Sequence, residues 1–234
     1  MGHRPFRAPG ETVTSPDQPT AALLFDLDGT LINSDVLHFE VFRDLFAERG
    51  REIDEAFYLQ NVHGQLNADI FAVHLPGEDA AALSDDKEAR FRDRLDADVP
   101  PMPGTVALLE TARSRGWGLA VVTNAPRVNA ATMLAAIGLT DAFDTIVIGE
   151  ECTRAKPHPD PYLAAMEALK VPPAACLAFE DSPSGLRAAR ASGAYTVGIR
   201  SSLQDAPLRA AGAQATLADF TDPDLTPLLD RLKG

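Results

Sequence analysis

Residues 23–35 read LLFDLDGTLINSD, an apolar run that ends in two aspartates, Asp26 and Asp28, and closes on Gly29. Side chains two positions apart in an extended chain point to the same side, so two like charges meet at the end of what reads as a buried strand. The run is continuous rather than alternating, the pattern of a strand covered on both faces. Five such runs occur: AALLFD (21–26), WGLAVVT (117–123), FDTIVIG (143–149), ACLAFED (175–181) and AYTVGI (194–199). Between the last four stand helical stretches, with GTVALLETARSRG (104–116) ahead of them, followed by APRVNAATMLAAIG (125–138), DPYLAAMEALK (160–170) and SPSGLRAARASG (182–193). This rhythm predicts an α/β fold: a parallel sheet of at least five strands with helices on both faces.

One interval interrupts the rhythm. From 35 to 100 the patterns are helical, as in HFEVFRDLFAERG (38–50) and EDAAALSDDKEARFRDRL (78–95), with apolar residues three and four apart. We therefore expect a sheet core formed by 21–34 and 101–234, with a helical insertion over 35–100 returning through the rigid DVPPMPG (98–104). Residues 1–20 carry four prolines and no apolar segment of the secretory kind; they read as a disordered lead or an expression remnant. LTPLLDRLKG (225–234) reads as a final short helix.

Composition bounds the function. The chain has 234 residues, 45% of them apolar and 24% charged, and a formal charge of -13. Without a clustered basic face, nucleic acid is an unfavoured partner. No run of about 18 apolar residues offers a membrane span. Cys152 and Cys176 lack the spacing of a zinc site or a disulfide framework and read as reduced thiols of a cytoplasmic protein. A monomer is the default expectation, because the insertion is available to cover the site.

Ligands of open parallel sheets bind outside the carboxyl ends of the strands. The first run delivers Asp26 and Asp28 there, the second Thr123 and Asn124, and the fourth Glu180, Asp181 and Ser182; Lys156 follows the third in TRAKPHPD. Each type has a task if the ligand is a phosphate ester. Asp26, Glu180 and Asp181 are oxygen ligands suited to Mg2+. The cation lets Asp26 approach the phosphate as a nucleophile. Asp28 is placed to give and take a proton. Gly29 permits a tight backbone whose amides face the phosphate, with Thr123 and Asn124 as further donors. Lys156 neutralises charge on the phosphoryl oxygens. Taken singly, each of these residues reads as a turn, a helix cap or a solvated lysine; their conjunction at one sheet edge carries the functional reading.

DLDGT, VVTN, AKPHPDPYL and FEDSPSGLRAARASG resemble, in order, the four motifs of the haloacid dehalogenase-like hydrolase superfamily, over Leu23 to about Ile199. The resemblance implies a Rossmannoid sheet, Asp26 as nucleophile, Asp28 as acid and base, and Thr123 and Lys156 on the phosphate. It implies Mg2+ near Asp26, the Asp28 carbonyl, Glu180 and Asp181. The insertion resembles the helical cap of phosphoglycolate phosphatases, sugar-phosphate phosphatases and β-phosphoglucomutase, with NVHGQLNADIF (61–71) similar to their specificity loop. His38, His63 with Gly64, and Arg127 are then candidate substrate contacts, and Ser182 a candidate phosphate contact.

The expected activity is Mg2+-dependent hydrolysis of a small phosphorylated metabolite through an aspartyl-phosphate. A mutase acting on phosphosugars is the alternative; it is weakened because Asn67 stands where such an enzyme carries an arginine for a second phosphate. Dehalogenation would want no acid at position 28. Phosphonate cleavage would want a Schiff-base lysine in the insertion, where Lys87 sits in a strongly charged helix and reads as solvated. A phospho-acceptor signalling module fits less well, since its acceptor follows the third strand and it has no insertion.

Overall fold

The first apolar run forms β1 (Ala22–Phe25), all four residues buried. The chain then passes through four helices, α1 (Asp35–Ala47), α2 (Glu55–Asn61), α3 (Asn67–His74) and α4 (Ala80–Arg94), before rejoining the sheet. The remainder alternates: α5 (Thr105–Ser114), β2 (Gly118–Thr123), α6 (Arg127–Ala136), β3 (Thr145–Ile148), α7 (Asp160–Leu169), β4 (Cys176–Glu180), α8 (Pro183–Ser192), β5 (Tyr195–Ile199), α9 (Asp205–Ala211), β6 (Ala215–Leu217) and α10 (Leu225–Asp230). This computed structural model describes residues 19–232; residues 1–18, most of the expected lead, and 233–234 lie outside the described residues. Among those described, no helix is long and apolar enough to cross a membrane.

The six strands are parallel in the order β3-β2-β1-β4-β5-β6, the doubly wound arrangement. Both faces of each central strand are apolar but differ in bulk. Leu23, Phe25, Leu119, Val121, Leu177 and Phe179 share one core with α5, α6 and the inserted helices. Ala22, Leu24, Ala120, Val122, Cys176 and Ala178 form the other with α7 and α8. Small side chains on that second face let the two helices lie close. On the bulky face Phe25 stacks on Phe179 at 5.1 Å between ring centroids and meets Phe220 edge-on at 5.7 Å.

β6 and the helices α2, α3 and α9 are additions to the sequence reading. β6 has three residues, and its apolar character is lost among the alanines around it. The stretch expected to be a loop over 61–71 is a loop only to Leu66, after which α3 begins. Within the insertion α4 is capped by Asp79, whose carboxylate accepts from the amides of Ala81 and Ala82. Its buried stripe is Leu83, Lys87 and Phe91, each four residues from the last.

That stripe corrects the reading of Lys87 as solvated. Its side chain is buried, its ammonium lies 5.4 Å from the Phe42 ring and 5.5 Å from that of Phe91, and it pairs with Glu88 at 2.8 Å. The charges around it masked its position on the apolar face. The insertion leaves and returns to the sheet at one place, where the Met102 amide donates to the Leu31 carbonyl at 2.8 Å.

Because Phe25 holds the β1–β4 seam through stacking on Phe179, Phe25→Ala should cost about 3–5 kcal/mol of stability. The check is urea unfolding: a lower midpoint at unchanged slope is expected, and an unchanged midpoint would show that the aromatic cluster does not hold the seam.

Candidate active site

Parallel strands present all their carboxyl ends on one edge. β1 lies between β2 and β4, with Phe25 in register with Val121 and Phe179. Asp26, the next residue, therefore falls between the end of β2, at Thr123, and the end of β4, at Glu180. Its amide donates to the Phe179 carbonyl at 3.0 Å, which fixes the backbone from which its carboxylate projects.

Lys156 ties these strand ends together. Its ammonium donates to Asp26 Oδ1 at 2.6 Å, to Glu180 Oε1 at 2.6 Å and to the Val122 carbonyl at 2.7 Å, using all three of its protons. The lysine is 5% exposed, so these are contacts in a low-dielectric setting. Its backbone is positioned by Asn124, whose side-chain amide donates to the Lys156 carbonyl and accepts from the Lys156 amide, both at 3.3 Å. This clamp uses one of the two N–H donors of Asn124, which also lines the cavity.

Glu180 is fully buried and takes further bonds from Tyr162 Oη at 2.7 Å and Ser182 Oγ at 3.3 Å. Ser182 also caps α8, accepting from the Gly185 amide. Asp181 faces the insertion: His63 Nε2 lies 3.1 Å from its Oδ2 and 3.5 Å from Asp35 Oδ1, while Ser201 Oγ donates to Asp181 at 3.4 Å. Ser202 donates to Asp35. Asp28 Oδ1 accepts from Ser34 at 2.7 Å and lies 2.8 Å from His38 Nε2. His38 itself stacks on Phe91 of α4 at 4.1 Å.

Glycine is required at two joints. Gly29 has φ +68°, and a Cβ there would lie 2.0 Å from Asp181 Oδ2. Its amide is taken by the Ile32 carbonyl at 2.8 Å; clearance for Asp181, rather than an amide for phosphate, is what Gly29 provides. Gly64 has φ +71°, and its Cβ would meet the Ser182 side chain at 2.6 Å, so the loop before α3 rests directly on the sheet edge.

The electrostatics follow from burial and neighbours. Burial, reinforced by Glu180, Asp181 and Asp28, raises Asp26 well above the ordinary carboxylate range against the opposing pull of Lys156. Burial likewise lifts Asp181 to about 6, with His63 opposing and Asp35 and Glu180 adding to the rise. Asp28 goes the other way: burial is outweighed by His38, Ser34 and Lys87, which hold it at about 2. His63 is pushed up to about 11, because Asp181 and Asp35 outweigh its desolvation.

Among the described residues, two groups have donor atoms within 4.8 Å of one another: Asp26 with Glu180 and Asp181, and Asp35 with His63 and Asp181. The first fits Mg2+, since all its donors are hard oxygens and a cation would offset both the burial that lifts Asp26 and Asp181 and the repulsion from Glu180 that adds to it. In the second, the imidazolium of His63 already occupies that place between the two acids. The Asp28 carboxylate belongs to neither group.

Asp26, Asp28, His38, His63, Gly64, Thr123, Asn124, Lys156, Asp181 and Ser182 all line one cavity of about 540 Å³, and Glu180 lies behind Lys156. Thr123 Oγ1 accepts from the Ala125 amide at 2.9 Å. Arg127, expected as a substrate contact, is not brought in. At the exposed start of α6 it forms a two-bond pair with Glu151 at 2.6 and 2.5 Å, outside the cavity wall. Asp35, Tyr162, Ser201 and Ser202 were missed. Ser201 and Ser202 follow the β5 run and would have been found by the rule that collected the others; Asp35 and Tyr162 lie in first turns of helices, where the bland reading is a capping or packing residue.

Residues 23–199 match the family model described as haloacid dehalogenase-like hydrolase. The chain is 33% identical over 218 residues to protein CbbY of Rhodobacter capsulatus, covering 88% of this chain and 93% of that protein. It is 32% identical to validoxylamine A 7'-phosphate phosphatase of Streptomyces hygroscopicus subsp. limoneus, covering 85% and 93%. Among solved structures, a CbbY mutant from Rhodobacter sphaeroides in complex with xylulose-(1,5)bisphosphate superposes with a TM-score of 0.73 at 29% identity, covering 86% of this chain and 94% of that one.

Replacing Gly29 by Ala should push Asp181 out of the carboxylate cluster while leaving the sheet in place. Titration calorimetry with Mg2+ is expected to show affinity lowered by about 10-fold or more at unchanged circular dichroism; wild-type affinity would mean that Asp181 is not among the ligands.

Proposed function

The chain belongs to the haloacid dehalogenase-like hydrolases, and on that premise we propose a Mg2+-dependent phosphatase that hydrolyses a small phosphorylated metabolite of sugar type through an aspartyl-phosphate on Asp26. The observation that carries this reading is the position of Lys156 Nζ, 2.6 Å from both Asp26 and Glu180 in the wall of a cavity. A nucleophilic carboxylate and a charge-stabilising cation thus meet where three strands end.

In the first half-reaction an Asp26 oxygen attacks phosphorus, the bond from phosphorus to the ester oxygen breaks, and Asp28 protonates the departing alkoxide. In the second, water attacks the aspartyl-phosphate and loses its proton to Asp28, releasing phosphate and restoring Asp26. The arrangement with Ser34 and His38 holds Asp28 as an anion, the form the second half-reaction uses. A bound phosphate ester sets negative charge beside it and raises its proton affinity, which favours the acid form for the first. Mg2+ held by Asp26, Glu180 and Asp181 would neutralise the repulsion between carboxylate and phosphate and polarise a phosphoryl oxygen. Lys156 shares that neutralising task. Asn124 keeps the lysine in place, and Tyr162 and Ser182 keep Glu180 in place.

We read the helical insertion as the cover of this site. His63 and Gly64 rest on Asp181 and Ser182, so the insertion covers one side of the cavity and would limit competing water there. In the mutase alternative a second phosphate needs its own cation. Asn67 is neutral and donates to Glu88, and the neighbouring cations Lys87 and Arg92 are paired with Glu88 and Asn129, which supports hydrolysis over transfer.

Asp26→Asn should abolish turnover of phosphate esters at unchanged circular dichroism, and retained turnover would remove Asp26 from the mechanism. Asp28→Asn should slow turnover by about 10²- to 10⁴-fold; a near-normal rate in a steady-state assay would assign the proton transfer elsewhere.

A further inference from the structure

The same cavity carries a second polar cluster that the proposed phosphate chemistry does not use. It comes from α3, α4 and α6, and its centre is Glu88, a carboxylate only 8% exposed on the cavity wall. Glu88 Oε1 accepts from Asn67 Nδ2 at 2.5 Å and from Lys87 Nζ at 2.8 Å. Oε2 accepts from Asn129 Nδ2, and Asn129 Oδ1 in turn accepts from Arg92. A carboxylate offers about four acceptor directions, so these three bonds orient Glu88 and leave an acceptor unused. Lys87 and Arg92 keep unused N–H donors in the same wall.

A wall that presents an oriented carboxylate acceptor beside N–H donors suits a hydroxyl, which donates and accepts at once. It does not suit a second phosphate, an acceptor-only dianion that would sit against Glu88. The rest of the lining agrees. Asp85 and Glu150 add carboxylates, and among the described residues Lys87, Arg92 and Lys156 are the only lysine or arginine side chains on it, with Lys156 engaged at Asp26.

We propose that Glu88, held by Asn67 and Asn129, is a specificity-determining hydroxyl acceptor, and that the substrates are monophosphate esters of polyhydroxylated compounds rather than bisphosphates. This rests on the phosphatase reading above. Through its carboxylate Glu88 accepts a charge-assisted hydrogen bond from a hydroxyl at the unphosphorylated end of the substrate, while the phosphate lies at Asp26 and Lys156. Such a bond is among the stronger polar contacts available, and a bisphosphate would replace it with repulsion between anions.

The test measures kcat/KM of the full chain with Mg2+ on p-nitrophenyl phosphate, which has no hydroxyls to read, and on matched pairs of hexose and pentose monophosphates and bisphosphates. Turnover of p-nitrophenyl phosphate tests the phosphatase reading itself; if it is absent along with every sugar phosphate, that reading fails, and this one with it. With that turnover present, the wild-type enzyme is expected to prefer the best monophosphate over its bisphosphate by about 10-fold or more. Glu88→Gln, whose fold is checked by circular dichroism, is expected to lower the ratio of the monophosphate kcat/KM to that for p-nitrophenyl phosphate by about 10-fold, mainly through KM, and to narrow the gap to the bisphosphate. A wild-type preference for bisphosphates overturns the proposal without touching the phosphatase reading. So does a Glu88→Gln variant whose three activities change in parallel.

Discussion

The ammonium of Lys156 is the group on which the carboxyl edge of the sheet depends. Asp26 and Glu180 leave β1 and β4 side by side and buried, and Lys156 is the cation that lies between their carboxyl groups. Removing one partner of a buried ion pair strands the other, at a cost of about 3–5 kcal/mol. A cluster of this kind is weak as a source of stability and strong as a constraint on position. The three protons of Lys156 go to Asp26, Glu180 and the Val122 carbonyl, so the lysine fixes β1, β4 and β2 relative to one another at the point where chemistry takes place.

Supporting residues are arranged around that constraint in an order set by their chemistry. Asn124 grips the lysine by its backbone and leaves its charge free to act. Tyr162 and Ser182 fill acceptor positions on Glu180 and so prevent its rotation. Gly29 supplies the room in which Asp181 can lie against the turn that carries Asp28. The sheet accounts for the directions of these side chains, because its parallel register sets three strand ends at one level.

The strands and the four chemistry-bearing segments were legible because each is written in local residues: apolar runs without alternation, then acids, a lysine and hydroxyls just past them. Assignments that turned on what a side chain meets across space fared less well. Lys87 reads as solvated because four charged residues surround it in sequence, although its spacing from Leu83 and Phe91 places it on the buried face. Arg127 follows a strand end closely enough to suggest a ligand contact, yet the exposed carboxylate of Glu151 lies nearer. Gly29 reads as an amide donor to the ligand, yet its amide is taken by the Ile32 carbonyl of the same turn. β6 is too short, and too much like its alanine-rich surroundings, to be separated from them by pattern.

The bond between Leu31 and Met102 brings the two ends of the inserted segment together. A segment whose two ends touch adds little strain to its host, because the surrounding fold closes the same gap whether the segment is long or short. The sheet would keep its register if the four helices were exchanged for a different set, provided the graft began and ended at that pair.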